Sequence, residues 1–380
     1  MKKKVMLLSS GHPPKDERMF SKIGYSLSTN GYSVVICTST EELHTTEKSI
    51  FFDCFDGEKL TKREKINKFY SLLSSHSPDI IISSEPLPIL AAHQFKKNAK
   101  SSCKVISDIT EWYPENVAFK FSGIKKWVTY FVLYLFNIYA TNLADALFLG
   151  EKNKIKRYKL ISPSKQKMII PYYPILNEFK YSALQFDRKN LSLNFSGTLS
   201  VERGFFRFIE VVNCIAEKHK NIMFTVVLSG RNLLPEDESS IKHSFMHKNI
   251  SLEVMHFSNY EDISVGLQNV HICFDLRELN FVFDSIPIKF FEYLACGKPV
   301  IYSNIQAVVE EFKDINFGFL VDPNNIDEIV SRVENYINNP ELLLTHSQNG
   351  RKLIEEKYNW EAYEKKLLHF LNQLKSKLSS

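Results

Sequence analysis

Short apolar runs alternate with helical patterns along this chain, and that alternation limits the possible folds more than any other feature. The run Val5 to Leu8 leads into a turn at Gly11, a helical pattern from Glu17 to Asn30 and a second apolar run from Tyr32 to Thr38. A strand, a glycine turn, a helix and a strand form a βαβ unit, whose buried parallel strands have continuous apolar runs. The alternation resumes at Leu191 to Phe195. We therefore predict an α/β protein with two Rossmann-like, doubly wound domains.

The length of 380 residues suits two domains of ordinary size better than one core. A polar stretch that follows Pro171 and runs to Lys189 indicates the boundary between them. We predict a first domain over residues 1–180, a second over 190–357, and a last helix over 358–380 that crosses back to the first domain. Because ligands bind at the carboxyl ends of strands in such sheets, we expect the two domains to face each other across a cleft.

Charge and composition exclude several classes of protein. The net charge of +5 is mild and the basic residues are dispersed, so nucleic acid is not an expected partner. The six cysteines lack metal-ligand spacing, which favours buried free thiols and a reducing compartment. The histidines form no zinc pattern, so we expect no bound metal. The apolar run after the first lysines is too short for a signal peptide. We therefore expect a cytoplasmic protein.

The stretch Asp284–Val300 has the strongest functional signal in the sequence. It combines a helix start at Pro287, Lys289 and Glu292 one turn apart, and a helix stop at Gly297. A lysine near a helix N-terminus favours an anion such as phosphate, and a glutamate one turn later can accept hydrogen bonds from hydroxyls. Alternatively, Asp284 is an ordinary helix-end acid and Glu292 a surface acid.

A second basic residue, Arg203, follows a glycine turn at Gly197 and opens a helix. Arginine can bind a diphosphate with two parallel hydrogen bonds, so Arg203 and Lys289 could hold one between them. The alternative is a surface arginine without a ligand. Gly230, which follows another strand, is a candidate for contact with the base of a nucleotide.

The first half contains weaker candidates at its own strand ends. Gly11 and His12 lie in the first turn, where they contact a ligand or form a tight turn with a loop histidine. Asp108 and Glu111 follow another strand, where they are catalytic acids or parts of a capped loop. The aromatic segment 124–142 forms either a long core helix or a helix that lies at a membrane interface.

The second half resembles glycosyltransferase family 4, the retaining sugar transferases with the GT-B fold. The resemblance runs from Phe195-Ser-Gly-Thr through Arg203-Gly204, His271-Ile-Cys-Phe-Asp275 and Asp284–Val300 to Tyr358-Asn-Trp360. It implies a UDP-, GDP- or ADP-sugar donor, held by the second domain without metal, and a glycan or lipid-linked acceptor at the first. It further implies that the enzyme builds a cell-surface polysaccharide at the inner face of the cell membrane.

The resemblance also suggests roles for individual residues. The family's pair of glutamates separated by seven residues is present as Asp284 and Glu292, as the sugar ligand and the ribose ligand. Its arginine and lysine phosphate pair is present as Thr198 and Arg203, so one charge is absent, and Lys289 can compensate for it. The histidine of many members is replaced near Thr110. Two alternatives stay open, a nucleotide-sugar epimerase of the same fold and a non-catalytic nucleotide-sugar-binding module.

Overall fold

The computed structural model describes residues 2–110, 113–152, 154–229, 235–256, 262–279 and 286–376. The chain divides into two compact units, which are treated separately below. The first unit comprises Met1–Tyr172 with Ala362–Ser380, and the second comprises Tyr173–Glu361.

In the first unit, the described residues form an eight-stranded sheet with the order β3-β4-β2-β1-β5-β6-β7-β8. Its strands are β1 (Lys4–Ser9), β2 (Ser33–Thr38), β3 (Leu43–Glu47), β4 (Ile50–Cys54), β5 (Ile80–Ser83), β6 (Lys104–Ile109), β7 (Ala146–Leu149) and β8 (Gln166–Ile169). All neighbours are parallel except β3, which pairs antiparallel with β4. The order reverses between β1 and β5, so the carboxyl ends of these two strands mark the binding edge typical of such sheets.

The helices of the first unit cover both faces of the sheet, as parallel sheets require. They are α1 (Tyr25–Thr29), α2 (Lys62–His76), α3 (Pro86–Asn98), α4 (Tyr113–Ala118), α5 (Gly123–Leu143) and α6 (Lys154–Ile161), with most of α14 (Trp360–Ser376) added from the chain end. On one side the core includes Leu8, Phe69, Phe95 and Leu147, all less than 5% exposed. The strands β1, β2, β5, β6 and β7 are buried along almost their whole length, as the sequence predicts, whereas most of the edge strand β3 is exposed.

The second unit contains a six-stranded parallel sheet with the order β11-β10-β9-β12-β13-β14. Its strands are β9 (Asn190–Ser196), β10 (Met223–Ser229), β11 (Ile250–Met255), β12 (Ile272–Asp275), β13 (Val300–Ser303) and β14 (Gly318–Val321). Its helices are α7 (Phe205–Lys218), α8 (Pro235–His243), α9 (Asp262–Gly266), α10 (Ile288–Ala295), α11 (Gln306–Glu311), α12 (Ile326–Asn338) and α13 (Pro340–Glu356). Counted within the unit, the order is 3-2-1-4-5-6, the dinucleotide-fold order whose reversal lies between β9 and β12.

The helix predicted from Glu17 to Asn30 is present, but its first part is not α-helical. Glu17–Gly24 is π-helical and only Tyr25–Thr29 is α-helical. A Cβ atom on Gly24 would lie 2.6 Å from the carbonyl oxygen of Met19, so the glycine permits the close backbone approach of the wider turn. The alternation of apolar residues does not reveal this difference, because both helix types bury one face. The short strand β3 and the helices α4, α6, α8 and α11 were also missed.

Candidate functional site

The residues with functional chemistry in the second unit lie at the carboxyl edge of its sheet. Ser196, Ser229 and Asp275 are the last residues of β9, β10 and β12. Parallel pairing aligns Ser196 with Ser229, and their hydroxyl groups are hydrogen-bonded to each other. Because the strand order reverses between β9 and β12, this edge is the expected place for a ligand in an open α/β sheet.

A buried carboxylate, Asp275, organises this edge. One of its oxygens accepts a hydrogen bond of 2.9 Å from Arg277 Nε, and the other accepts one of 2.6 Å from Arg277 Nη2. Lys289 Nζ lies 2.8 Å from the second oxygen. The Asp275 side chain is fully buried, and the two cations offset its loss of hydration.

Burial and the neighbouring charges both shift the pKa values of Asp275 and Lys289. Burial alone would raise the pKa of Asp275, but Lys289 and Arg277 outweigh it and hold that pKa well below the usual range. Burial lowers the pKa of Lys289, and the nearby Asp275 opposes that change. The positive charges of Arg277 and Arg203 lower the pKa of Lys289 further. One acid, Asp275, and three cations, Arg203, Arg277 and Lys289, together have a net charge of +2. This charge favours an anionic ligand.

Lys289 is positioned next to the glycine turn predicted from the sequence. Besides Asp275, Lys289 Nζ donates to the carbonyl oxygen of Ser196 at 2.6 Å. Gly197 follows with a φ of +117°, a conformation that a side chain would strain. A Cβ atom there would lie 3.6 Å from Lys289 Nζ, so the glycine leaves the ammonium group accessible from the turn.

Gly204 brings the start of α7 against the segment that follows β12. Its φ is +81°, and a Cβ atom would lie only 1.9 Å from the carbonyl oxygen of Leu276. The adjacent Arg203 is half-buried, and its backbone N–H donates to Ser200 Oγ at 3.4 Å. Arg203 is close enough to Lys289 for its charge to lower the pKa of that lysine.

Helix α10 contributes Lys289 and Glu292 from the same face. Its N-cap is Pro287, where the sequence predicts the helix start, and this cap makes no side-chain hydrogen bond. Gly297 follows the helix end with a φ of +72°, which confirms the predicted helix stop. The Glu292 side chain is only 4% exposed, so the interpretation as a surface acid was wrong. Its position one turn after Lys289 agrees with the predicted pairing of an anion site and a hydroxyl ligand.

Four other predicted residues add little to this picture. Thr198 is exposed in the turn after β9, and its carbonyl oxygen accepts from the N–H of Ser200 at 3.0 Å. Gly230, Asp284 and Glu111 lie outside the described residues. Their assigned roles stay predictions.

In the first unit, the turn after β1 is stabilised from within. The backbone N–H groups of Gly11 and His12 donate to Ser9 Oγ at 3.2 and 2.8 Å. Ser9 Oγ in turn donates to Glu85 Oε1 at 2.9 Å, and the Ser10 N–H donates to Glu85 Oε2 at 2.7 Å. Burial raises the pKa of Glu85, and His12 opposes the shift. The two N–H groups that could receive a phosphate at Gly11 are therefore bonded to a side chain already.

His12 lies between two carboxylates. Its Nδ1 is 3.2 Å from Asp16 and its Nε2 is 3.4 Å from Glu85. The hydrogen bond to Asp16 raises the pKa of His12 to about 9 although burial opposes the shift. The imidazole is therefore charged at neutral pH, and it contributes a cation at the reversal point of the first sheet.

Asp108, a predicted catalytic acid, forms a buried ion pair. Arg18 Nε and Nη2 donate to its two oxygens at 2.7 and 2.6 Å, and Arg18 Nη1 donates to the Ile170 carbonyl oxygen at 2.7 Å. The guanidinium group also lies over the Tyr172 ring, 4.6 Å from its centroid. This pairing accounts for the burial of Asp108, and its catalytic role stays a prediction.

The sequence interpretation missed Asp275, Arg277, Glu85 and Arg18. A signal was available for Asp275, because it ends a strongly apolar strand, as Asp108 does. Arg18 gave none, since its partner is ninety residues away in the sequence. Among the residues that the structure describes, no group of three or more His, Cys, Asp and Glu side chains could hold a metal ion.

Comparison with known sequences adds independent evidence. Residues 178–353 match the family described as glycosyl transferases group 1. The chain is 24% identical over 269 residues to the capsular polysaccharide biosynthesis glycosyltransferase CapM of Staphylococcus aureus, which covers 65% of this chain and 68% of CapM. It is 27% identical over 162 residues to an uncharacterized glycosyltransferase of Haemophilus influenzae, which covers 42% of this chain and 43% of that protein.

Comparison with solved structures extends over nearly the whole chain. Sucrose-phosphate synthase from Thermosynechococcus elongatus superimposes with a TM-score of 0.76 at 14% identity, covering 98% of this chain and 99% of that one. Anabaena Alr3699/HepE in complex with UDP-glucose superimposes with a TM-score of 0.69 at 13% identity, covering 97% and 99%. At such low identity these likenesses establish the architecture of both units.

Proposed function

We propose a donor, a mechanism and an acceptor for this chain on the premise that it belongs to the glycosyl transferases group 1, the family that its residues 178–353 match. Its fold is GT-B, with two Rossmann-like units, and it transfers a sugar from a nucleotide-diphosphate sugar. The observation that carries the proposal is Lys289, which is held by Asp275 and the Ser196 carbonyl beside the Gly197 turn.

The donor diphosphate lies at the Gly197 turn in this proposal, between Lys289 and Arg203. When the glycosidic bond breaks, negative charge develops on the leaving phosphate. Preorganised cations stabilise that charge without any reorganisation at the moment of reaction. Lys289 suits this task because Asp275 and Ser196 fix its position on rigid elements. The acceptor hydroxyl attacks C1 of the sugar from the face on which the phosphate leaves, and the phosphate accepts the hydroxyl proton. The configuration is therefore retained without a separate base or a bound metal.

The remaining donor contacts follow from the positions of the acids. Glu292 accepts hydrogen bonds from the ribose hydroxyls, since it lies one turn after Lys289 on α10. Asp284 binds hydroxyls of the transferred sugar. In the first unit, His12 supplies positive charge near the acceptor, and Asp108 and Glu111 assist there. A catalytic role for Asp108 requires the acceptor to reach oxygens that already accept from Arg18.

The acceptor is a glycan or a lipid-linked saccharide in a cell-surface polysaccharide pathway, and the enzyme works in the cytoplasm at the inner face of the cell membrane. The capsular polysaccharide role in the name of CapM supports the first part. The location at the inner face of the membrane is supported by α5. Only Ala140 and Thr141 of this helix are buried, so the alternative that it is a core helix was wrong. In the part of the chain that the structure describes, no helix is long and apolar enough to cross a bilayer.

A donor panel tests the proposed function. The protein is incubated with UDP-, GDP- and ADP-sugars, beginning with UDP-glucose, and the products are identified by mass spectrometry. Slow release of one nucleoside diphosphate, abolished by Glu292→Ala, is the expected result. A product inverted at sugar C2 would show an epimerase instead. Tight binding of a sugar nucleotide without turnover, whatever acceptor is supplied, would show a binding module.

A further inference from the structure

Helix α5 exposes a continuous apolar face. Seven of its large apolar side chains are at least 49% exposed, and Trp127 is 73% exposed; the seven are Ile124, Trp127, Val128, Phe131, Val132, Leu135 and Tyr139. At about 100° per residue these positions fall within an arc of about 140° on the helix. They therefore form one stripe, and a continuous stripe of this size marks an interaction site.

The opposite face of α5 anchors the helix to the first unit. Ala140 and Thr141 are buried, and Tyr134 packs against the core that includes Leu147. Asn137 Nδ2 donates to Tyr158 Oη at 3.2 Å. The helix is thus held on one side, and its apolar stripe points away from the core.

Helix α6 adds a basic border to this stripe. Asn142 Nδ2 on α5 donates to the carbonyl oxygen of Ile161 at 3.0 Å, so the end of α6 lies beside the end of α5. Lys156 and Lys159 are exposed on α6, and Leu160 of the same helix is 83% exposed. The sequence has seven Lys or Arg residues and no Asp or Glu from Lys152 to Asn177. The segment 116–144 likewise has no acid, while Lys120, Lys125 and Lys126 are basic.

We propose that α5 and α6 form a docking surface for an anionic phospholipid bilayer. The apolar stripe enters the boundary between headgroups and acyl chains, and the basic residues of α6 contact the lipid phosphates. Charge decides among the occupants. A second copy of this chain would bring the same basic border against itself, whereas an anionic bilayer complements it. Docking through this surface places the proposed transfer to a lipid-linked acceptor at the bilayer, and only this consequence rests on the proposed function.

Flotation of the full chain with vesicles tests the proposal. The vesicles contain phosphatidylcholine alone or an equal mixture of phosphatidylcholine and phosphatidylglycerol. We expect binding to the anionic vesicles only. Lys156→Ala/Lys159→Ala should weaken that binding by about fivefold per lysine, and less so in high salt. Trp127→Ser/Phe131→Ser should weaken it more strongly, because it removes two large aromatic side chains from the inserted stripe.

Matched variants elsewhere on the chain serve as controls. Lys62→Ala/Lys68→Ala removes two exposed charges from α2, and Phe206→Ser/Met246→Ser removes two exposed apolar side chains from the second unit. Neither should change flotation. Equal binding to both vesicle types, no binding by the wild type, or an unchanged Lys156→Ala/Lys159→Ala variant would overturn the proposal. So would a dimer, detected by light scattering, that Trp127→Ser/Phe131→Ser dissolves. Release of nucleoside diphosphate without vesicles is measured separately, so failure of catalysis and failure of docking are distinguishable.

Discussion

Replacement of Lys289 by methionine separates catalysis from stability at the candidate donor site. Methionine keeps the length of the side chain and removes its charge. At an effective dielectric constant of about 20, the contact of 2.8 Å between Lys289 Nζ and Asp275 is worth about 6 kcal/mol before desolvation is counted. Most of that gain is spent on removing the ammonium group from water, so the net stabilisation is far smaller.

Asp275 keeps its two hydrogen bonds from Arg277 when Lys289 is replaced. We therefore expect Lys289→Met to lower the free energy of unfolding by only about 1–2 kcal/mol, below the 3–5 kcal/mol typical of an unpaired buried charge. Release of nucleoside diphosphate should fall about 10²–10³-fold in kcat, the usual cost of losing one preorganised group that stabilises developing charge.

The assay measures kcat and KM for nucleoside diphosphate release with the donor identified by the panel, and urea unfolding of the same samples. Asp275→Asn is the comparison variant, because it leaves Lys289 and Arg277 buried without a carboxylate. It should lose about 3–5 kcal/mol of stability. Activity of Lys289→Met within a few-fold of the wild type would refute the role of Lys289 in the reaction. Equal loss of stability in both variants would refute the reasoning about Arg277.

Three further predictions concern the backbone and the first unit. Gly204→Ala should lower the free energy of unfolding in urea by about 3 kcal/mol or more, since its Cβ would lie 1.9 Å from a carbonyl oxygen. Gly31→Ala is the control, because Gly31 also has a positive φ but open space around it, and it should cost only about 1 kcal/mol. Arg18→Met should cost about 3–5 kcal/mol by leaving Asp108 unpaired, and Arg18→Met/Asp108→Leu should recover much of it; a double variant no more stable than the single one would contradict the ion-pair explanation. Because the pKa of His12 is raised from 6.5 to about 9, its stabilisation is complete below pH 6.5 and lost as the pH rises through 9. Solvent screening reduces that contribution to roughly 1 kcal/mol. His12→Gln should remove this loss of stability when the free energy of unfolding is compared at pH 6.5 and pH 9.

The positions of the strands are largely readable in the sequence, because a buried parallel strand has to be apolar on both faces. The predicted runs Val5 to Leu8 and Leu191 to Phe195 lie within the strands Lys4–Ser9 and Asn190–Ser196. The edge strand Leu43–Glu47 was missed since most of its side chains are exposed and polar. Amphipathic patterns likewise located α7 and α10, while the π-helical turn at Glu17–Gly24 depends on backbone geometry that such patterns do not contain.

The sequence alone determined the α/β class, the glycine turn at Gly197 and the placement of Lys289 and Glu292 one turn apart on one helix, because these depend on short-range spacing. Only the tertiary structure revealed that Asp275 and Arg277 position Lys289, and that Arg18 pairs with Asp108. It also showed that α5 exposes its apolar stripe beside the basic helix α6. Arg18 and Asp108 are ninety positions apart, and Lys289 contacts Asp275 from a different element of the fold. A buried charge is stabilised by an oppositely charged side chain that the fold brings within hydrogen-bond distance. Spacing along the chain does not indicate which side chain that is.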